Sequence, residues 1–405
     1  MRYTMAGVAL ALSLGLLTAA PSFSQIRGTV ANVYVQSKVG VYVYNASTSG
    51  QLTLVKGSAF ADTGQMEAVR GQVLLISVGT NYLHAYRVGV NSKNQSGAVG
   101  PQLGQIDTAS YAGANCGSTS GAAILDHTGQ YFSVQLWGAT DSSGNTVCSA
   151  WQTYKLSEDG GFTFLGDAVN TTLGYRSPAA IPLYTVSSND LFTYGIYSDP
   201  YASSFEVYRR ASAGDLVQDS SFSKVDPTPN PSVESSDYYP FSIAADPASH
   251  LAVVMDTPFA GSNVFQLASY TINNNTGAIQ STNTWANMPA VQPFPSAMAM
   301  SWSGAYVAVS GLKGVQVFRF NGAAPATVLA TVLPNVEIDQ VAWDKSNHLY
   351  AISYDSGNPD ATSDLYVFNV TSTGIAPAPG SPYKVTGTGI NGSDLVGLVV
   401  VPVKS

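Results

Sequence analysis

Charge is scarce in this chain. Charged residues make up 10% of it, against about a quarter in an average soluble protein. No run of Lys and Arg occurs, and the formal net charge is −8. Nucleic acid and anionic membrane surfaces are therefore excluded as partners. Only two cysteines and four histidines are present, which leaves no Cys/His cluster for zinc, and no HExxH motif occurs. No GxSxG elbow links a strand to a helix, so an α/β-hydrolase is excluded. Beyond the N-terminus no apolar run approaches the length of a membrane span, and membrane insertion is not expected.

What is present is a β-rich, exported composition. Hydrophobic residues reach 45%, with 38 Gly and 23 Tyr, enough for a large core and too much for a disordered chain. Residues 1–24 have the form of a secretory signal. Arg2 is the positive start, VALALSLGLL (8–17) is the apolar stretch, and small residues precede Gln25. The expectation is a domain over 25–405, exported to the periplasm or the medium and monomeric. In an oxidising compartment Cys116 and Cys148 are expected to form one disulfide, with two buried free thiols as the alternative. Closing so long a loop contributes roughly 3–4 kcal/mol in the loop-entropy model.

The segment from Val341 to Val370 sets the repeat. VAW (341–343), HLYAIS (348–353) and DLYVFNV (364–370) are short apolar runs separated by Asp, Asn, Gly and Pro, and the last two alternate as half-buried strands do. An aromatic residue near the end of each third strand recurs as Tyr44, Tyr86, Tyr154, Tyr208, Tyr270, Phe318 and Phe368. The intervals run from about 40 to 70 residues, the longer ones enlarged by loops such as 138–148; a period near 40–50 with four strands each marks a β-propeller. Before several second strands stands a turn led by Asp: Asp126, Asp246 and Asp344. Such an Asp accepts hydrogen bonds from backbone N–H groups of its own turn, so these are read as turn formers.

The count closes only if the ends of the chain meet. NVYVQS (32–37) reads as a second strand with no first strand before it, and DLVGLVVVPV (394–403) is a strand without a blade. The expected fold is all-β: a seven-bladed β-propeller, its ring closed by the C-terminal strand completing blade one. The alternative is a tail that caps the last blade.

Ligands of propellers meet the face carrying the loops that enter the inner strands and the loops between strands two and three. Candidate ligand-binding residues there are Glu67, Arg70, Tyr175, Arg176, Tyr239, Asp256 and Asp355, with Phe294, Lys313 and Asp339 among their neighbours. An Arg among tyrosines at a channel mouth suits a carboxylate or a sugar. Cys116 and Cys148 fall on the same face. Of the histidines, His127, His250 and His348 fall at turns of the opposite face and His84 in a third strand, so a His base at the mouth is not expected. DSSGN (141–145) and DSGNPD (355–360) lack the regular ligand spacing of calcium loops. No metal or cofactor is expected.

The Asp-led turn, the strand ending in Tyr-Val-Phe/Tyr, the Thr-Gly turn, and last strands such as QLTLVKGSAF (51–60) and GIAPAPGSPY (374–383) resemble the lactonase-type seven-bladed propeller family, as a divergent exported member. The resemblance implies the fold over nearly all of the mature chain. The Gly-Pro-Arg-His run of members similar to 6-phosphogluconolactonase is missing, so no catalytic residue carries over. Three functions follow as expectations. The first is a non-catalytic propeller binding a small molecule or protein at its mouth. The second is a hydrolase of sugar-acid lactones, with Arg176 holding a carboxylate and Glu67 or Asp256 as base. The third is a structural protein of an envelope assembly.

Overall fold

The computed structural model describes residues 28–403 apart from 38, 61–64, 71–72, 79–81, 91–94, 112–118, 138–148, 158, 171–183, 188, 198–203, 220–226, 229–237, 257–263, 354–361 and 387–396. The described residues fold into seven antiparallel sheets, with one short 3-10 turn at Thr108–Tyr111. From the axis outward, blade one is Leu398–Pro402, Thr29–Ser37, Gly40–Ser47 and Leu52–Leu54, and blade two is Gln65–Arg70, Val73–Val78, Tyr82–Val90 and Ser96–Asp107. Blade three is Thr119–Leu125, Tyr131–Trp137, Ser149–Leu156 and Phe162–Asn170. Blade four is Tyr184–Val186, Phe192–Tyr197, Ser204–Arg210 and Leu216–Gln218. Blade five is Tyr239–Ala245, His250–Asp256 and Phe265–Ile272, edged by Ile279–Gln280 and Ala290–Val291. Blade six is Pro295–Met300, Tyr306–Gly311, Gly314–Asn321 and Ala324–Val332. Blade seven is Ile338–Trp343, His348–Ser353 and Thr362–Thr371, edged by Gly374–Pro377 and Tyr383–Thr386.

Each inner strand packs against the inner strands of the two adjacent blades, so the seven form a closed circle. The closing strand is the C-terminal one. Leu398, Val399 and Val400 pair with Val35, Tyr34 and Val33, and Val403 N–H donates to Val30 O at 2.9 Å. The tail therefore completes blade one rather than capping blade seven. Each aromatic anchor faces a residue of its second strand, the second residue of that strand in every blade but the first, where it is the fifth: Tyr44 faces Val33, Tyr86 Leu74, Tyr154 Phe132 and Tyr208 Thr193. Tyr270 faces Leu251, Phe318 Val307 and Phe368 Leu349.

The core is seven wedges rather than one mass. A separate cluster of buried side chains fills each junction between successive blades, such as Leu251, Val253 and Met255 with Tyr194 and Val207 of blade four. On the same strand Ala252 and Val254 point the other way, against Val307 and Val309 of blade six. A strand buried on both faces needs no polar alternation. That is why second strands such as HLAVVM read as continuous apolar runs.

The turns between strands one and two are built as expected. Asp246 accepts from Ala248 N–H at 2.9 Å and His250 N–H at 2.7 Å. Asp126 accepts from the N–H groups of Gln130 and Tyr131. In blades four and six the same service falls to Ser187 and Ser301, which accept from Phe192 and Tyr306 N–H, each at 3.0 Å. The residue that begins the second strand then meets the hairpin between strands three and four of the next blade. Gly277 there has φ of 75°, and a Cβ on it would lie 2.5 Å from the Phe192 ring. Only glycine satisfies both the backbone and the space.

One contact between neighbouring turns is expected to respond to pH. The His127 ring Nδ1 and backbone N–H both meet Asp190 Oδ1, at 2.7 and 2.9 Å, joining blade three to blade four. Its hydrogen bond to Asp190 raises the His127 pKa. Burial pushes the Asp190 carboxyl up, but the hydrogen bonds from the His127 ring and backbone outweigh it and hold the carboxyl below its usual value. A raised His stabilises the fold below its unfolded pKa and loses that contribution as pH rises through the folded one. A lowered Asp stabilises above its unfolded pKa and loses it as pH falls. The contribution is thus full between about pH 4 and 6.5. Because the His127 side chain is 56% exposed, its size stays below about 1 kcal/mol. In thermal melts the gap between wild type and His127→Ala is expected to be widest near pH 5 and to narrow on both sides. A gap that is flat from pH 4 to 9 would remove the ion pair from the account.

Candidate functional site

The upper face is defined here as the one where inner strands enter and where strands two and three connect. Five of the seven inner strands carry a register shift close to that entrance. The extra residue is Glu67 in blade two, 121–122 in blade three, Phe241 in blade five, 296–297 in blade six and Asp339 in blade seven. A bulge bends the strand and interrupts its pairing; Phe241 nonetheless packs on Phe265 in the core between blades five and six, and Asp339 is buried. Two of the five carry a carboxylate.

Among the expected site residues, the structure brings Tyr239 and Asp256 together. They are direct cross-strand partners at the upper end of blade five, and Asp256 also faces Phe265. Glu67 lies in the blade-two bulge at this face. Arg70 does not join it. It ends the inner strand at the far side, paired with Val73 in the tight turn there, because the strand runs down the channel between the two residues. Tyr175, Arg176, Asp355, Cys116 and Cys148 lie outside the described residues, and with them the expected disulfide.

All four histidines are described, and none stands at the mouth. His250 Nδ1 meets Asp246 at 2.8 Å and His348 Nδ1 meets Asp344 at 2.6 Å, both in lower-face turns. His127 meets Asp190 beneath blades three and four. His84 sits mid-strand, 3.4 Å from the Tyr86 hydroxyl.

The upper face is instead marked by exposed apolar side chains. Val39, Tyr82, Val264, Phe294 and Leu312 are all among the exposed large hydrophobics, and each stands at an inner-strand entrance or a connection between strands two and three. Blade six builds its share most firmly. Gln292 N–H donates to Gln316 Oε1 at 3.0 Å, and the Gln292 side-chain amide donates to Val309 O and Gly314 O at 2.9 and 3.1 Å. Its Oε1 accepts from Lys313 N–H at 3.0 Å. These bonds tie the entry segment to the turn bearing Leu312. At Gly314, φ is 82°, and an added Cβ would lie 2.2 Å from the carbonyl oxygens of both Val332 and Leu333. Phe294, between Pro293 and Pro295, has φ of 55°, a region that bulky residues seldom occupy. Ser310 accepts from Ala297 N–H at 3.1 Å, and its hydroxyl lies 3.3 Å from Asp339 O, which ties blade six to the blade-seven bulge.

Sequence reasoning missed Val39, Val264 and Leu312 because it looked for polar and aromatic groups, and it missed Tyr82 because it read that residue only as the start of a third strand. Gln292 was also missed. Its signal was a polar residue directly before Pro-Phe-Pro, where prolines supply no donors and a side-chain amide must hold the segment.

No protein-family model and no curated protein sequence matches the chain. Solved structures do. A functionally unknown protein from Desulfotomaculum acetoxidans shares 13% identity at a TM-score of 0.56, over 92% of this chain and 99% of that one. The β-propeller domain of Cps50 (Swd1) from Myceliophteria thermophila shares 10% identity at a TM-score of 0.48, over 81% and 90%. The first of these likenesses concerns the fold alone. The chain is a seven-bladed β-propeller, and nothing in them carries the lactonase-type resemblance beyond that architecture.

Proposed function

We propose that this chain is an exported, non-catalytic recognition propeller whose partner or small-molecule ligand docks on the upper face. The observation that carries the reading is that five of the eleven exposed large hydrophobics among the described residues stand at that face, on blades one, two, five and six, above bulged inner strands. Exposed apolar patches mark binding surfaces; three of the four histidines are engaged in lower-face turns and His84 lies in a third strand. The single disulfide Cys116–Cys148, the monomeric state and the periplasmic or extracellular location belong to this proposal. Fold alone does not assign a partner, so the test is direct. Immobilised mature domain is expected to retain a saturable component of the exported fraction. Retention is expected to fall at least tenfold for Tyr82→Asp/Leu312→Asp and to persist for Leu191→Asp/Trp302→Asp on the lower face. Equal retention by both double variants would sink the reading.

Lactone hydrolysis is the second reading, favoured by the pairing of Tyr239 with Asp256 at the mouth. Asp256 would serve as the base in that reading. Aldonolactones are expected to hydrolyse no faster with the purified domain than in buffer. Turnover that disappears in Asp256→Asn would establish the hydrolase instead.

A further inference from the structure

We infer that Asn321 is a site of spontaneous chemical modification, converting to aspartate and isoaspartate through a cyclic imide formed with Gly322. The inference is independent of the upper-face reading. Asn321 ends the third strand of blade six, and Gly322 opens the two-residue turn to the fourth, on the lower face. Among the described residues Asn321 is the only Asn followed by Gly. It is exposed, so water and base reach it. Gly322 has φ of 64°, a conformation that favours glycine, so no side chain shields its nitrogen. Its N–H donates to no group among the described residues. The Asn321 Nδ2 donates to Pro325 O at 2.9 Å. That bond is neutral and exposed, and such a bond is a weak brake.

The steps balance with water as the one co-reactant. Base removes the Gly322 amide proton, and the nitrogen attacks Asn321 Cγ. The Cγ–Nδ2 bond breaks, ammonia leaves and a succinimide closes. Water then opens the ring. Attack at Cγ gives aspartate; attack at the Asn321 main-chain carbonyl carbon gives isoaspartate, with the chain now running through Cγ. Both products add a carboxylate, and isoaspartate also lengthens the main chain by a methylene. The turn has little room for it. A Cβ on Gly322 would lie 3.1 Å from His250 Cε1 and 3.3 Å from Nε2, and His250 Nδ1 is held by Asp246 at 2.8 Å. His250 begins the second strand of blade five, so the conversion is expected to loosen the junction between blades five and six.

The test stores the purified mature domain for weeks at mildly alkaline and mildly acidic pH, well below its melting temperature. The tryptic peptide Phe320–Lys345 is then mapped by mass spectrometry, with fragmentation that separates aspartate from isoaspartate. Asn321 is expected to convert at least tenfold faster than any other described asparagine. It is expected to convert faster at the alkaline pH, because the attacking nitrogen must lose its proton. The aged domain is expected to melt below the fresh one. Asn321→Gln, whose longer side chain closes an imide far more slowly, is expected to hold its melting temperature through the same storage. Asn321→Asp carries the carboxylate without the longer main chain and is expected to melt between fresh and aged wild type. Conversion of Asn321 no faster than that of the other described asparagines, or at a rate unaffected by pH, overturns the inference. Equal melting of aged wild type and aged Asn321→Gln, with conversion complete, overturns the effect on the blade junction.

Discussion

A chain ending at Val396 is expected to lose the cooperatively folded monomer altogether. Truncation there removes Leu398 to Val401, whose side chains contribute to the cores between blades seven and one and between one and two. Full burial of four such side chains would be worth roughly 6–12 kcal/mol at 1.5–3 each. With Leu398 buried and the three valines partly buried, the loss falls toward the lower end, still comparable to the whole stability of a typical domain. The damage is also topological. Thr29–Ser37 becomes an exposed edge, and the inner strands Ile338–Trp343 and Gln65–Arg70 lose the strand that separates them. An unprotected apolar edge invites pairing with other chains. The expected readout is a broad, non-cooperative melt with aggregates in size-exclusion chromatography. Val400→Asp, which leaves the strand in place but buries a carboxylate, is expected to give a milder version. A synthetic peptide spanning 396–405 is expected to restore a sharp transition when added to the truncated chain. A truncated chain that melts like the full one would remove ring closure as the organising interaction.

The architecture was legible in the sequence because propeller strands obey local rules. Turn chemistry at Asp126, Asp246 and Asp344 and period-two patterning in the third strands gave the blades. The aromatic anchors gave their register, since a bulky ring opposite the second strand fills the wedge in every blade. Even the composite blade could be read, because an odd strand at each end of a repeat array has only one economical partner. Gly277 and Gly314 were harder. Their meaning lies in contacts with Phe192 and with the Val332–Leu333 backbone, and contacts between distant segments leave no local pattern.

The candidate site was less legible for a related reason. Arg70 lies only three residues from Glu67 in the sequence, yet an inner strand rises about 3.3 Å per residue, so the two separate by roughly 10 Å toward opposite faces. Register shifts at Glu67 and Asp339 depend on pairing partners and carry no single-residue signature. Sequence reasoning weighted chemistry-bearing side chains, whereas Leu312 and Val264 earn attention only through exposure. Exposure is a property of the assembled ring.

Asp344→Ala is expected to destabilise the domain by about 3–5 kcal/mol, the range seen when one partner of a buried charged network is removed. The Asp344 side chain is completely buried. Its Oδ1 accepts from Ser346 N–H at 2.8 Å and His348 N–H at 2.9 Å. Its Oδ2 meets His348 Nδ1 at 2.6 Å and accepts from the Tyr350 hydroxyl at 2.9 Å. Burial first, and then the Asp344 charge, push the Tyr350 pKa far above its ordinary value, so that hydroxyl remains a donor. Alanine leaves the three buried donors, His348 N–H, His348 Nδ1 and the Tyr350 hydroxyl, without their acceptor. The pocket also lies at the ring-closing junction. Asn369 donates to Ser49 O at 3.2 Å, and Gly50 packs so tightly on His348, Asn369 and Ala378 that a Cβ there would lie 2.9 Å from Ala378. For a chain of this size the loss corresponds to roughly 5 °C in Tm. Asp344→Asn keeps the shape but turns an amide N–H toward donors, so it is expected to fall between Asp344→Ala and wild type. Tyr350→Phe, which deletes one hydrogen bond to a charged group, is expected to cost about 1.5–3 kcal/mol. The cycle built from Asp344→Ala, Tyr350→Phe and their double variant, read by chemical denaturation, is expected to be non-additive. Strict additivity would mean that the carboxylate and the phenol act independently, and that the turn rather than the network holds blade seven against blade one.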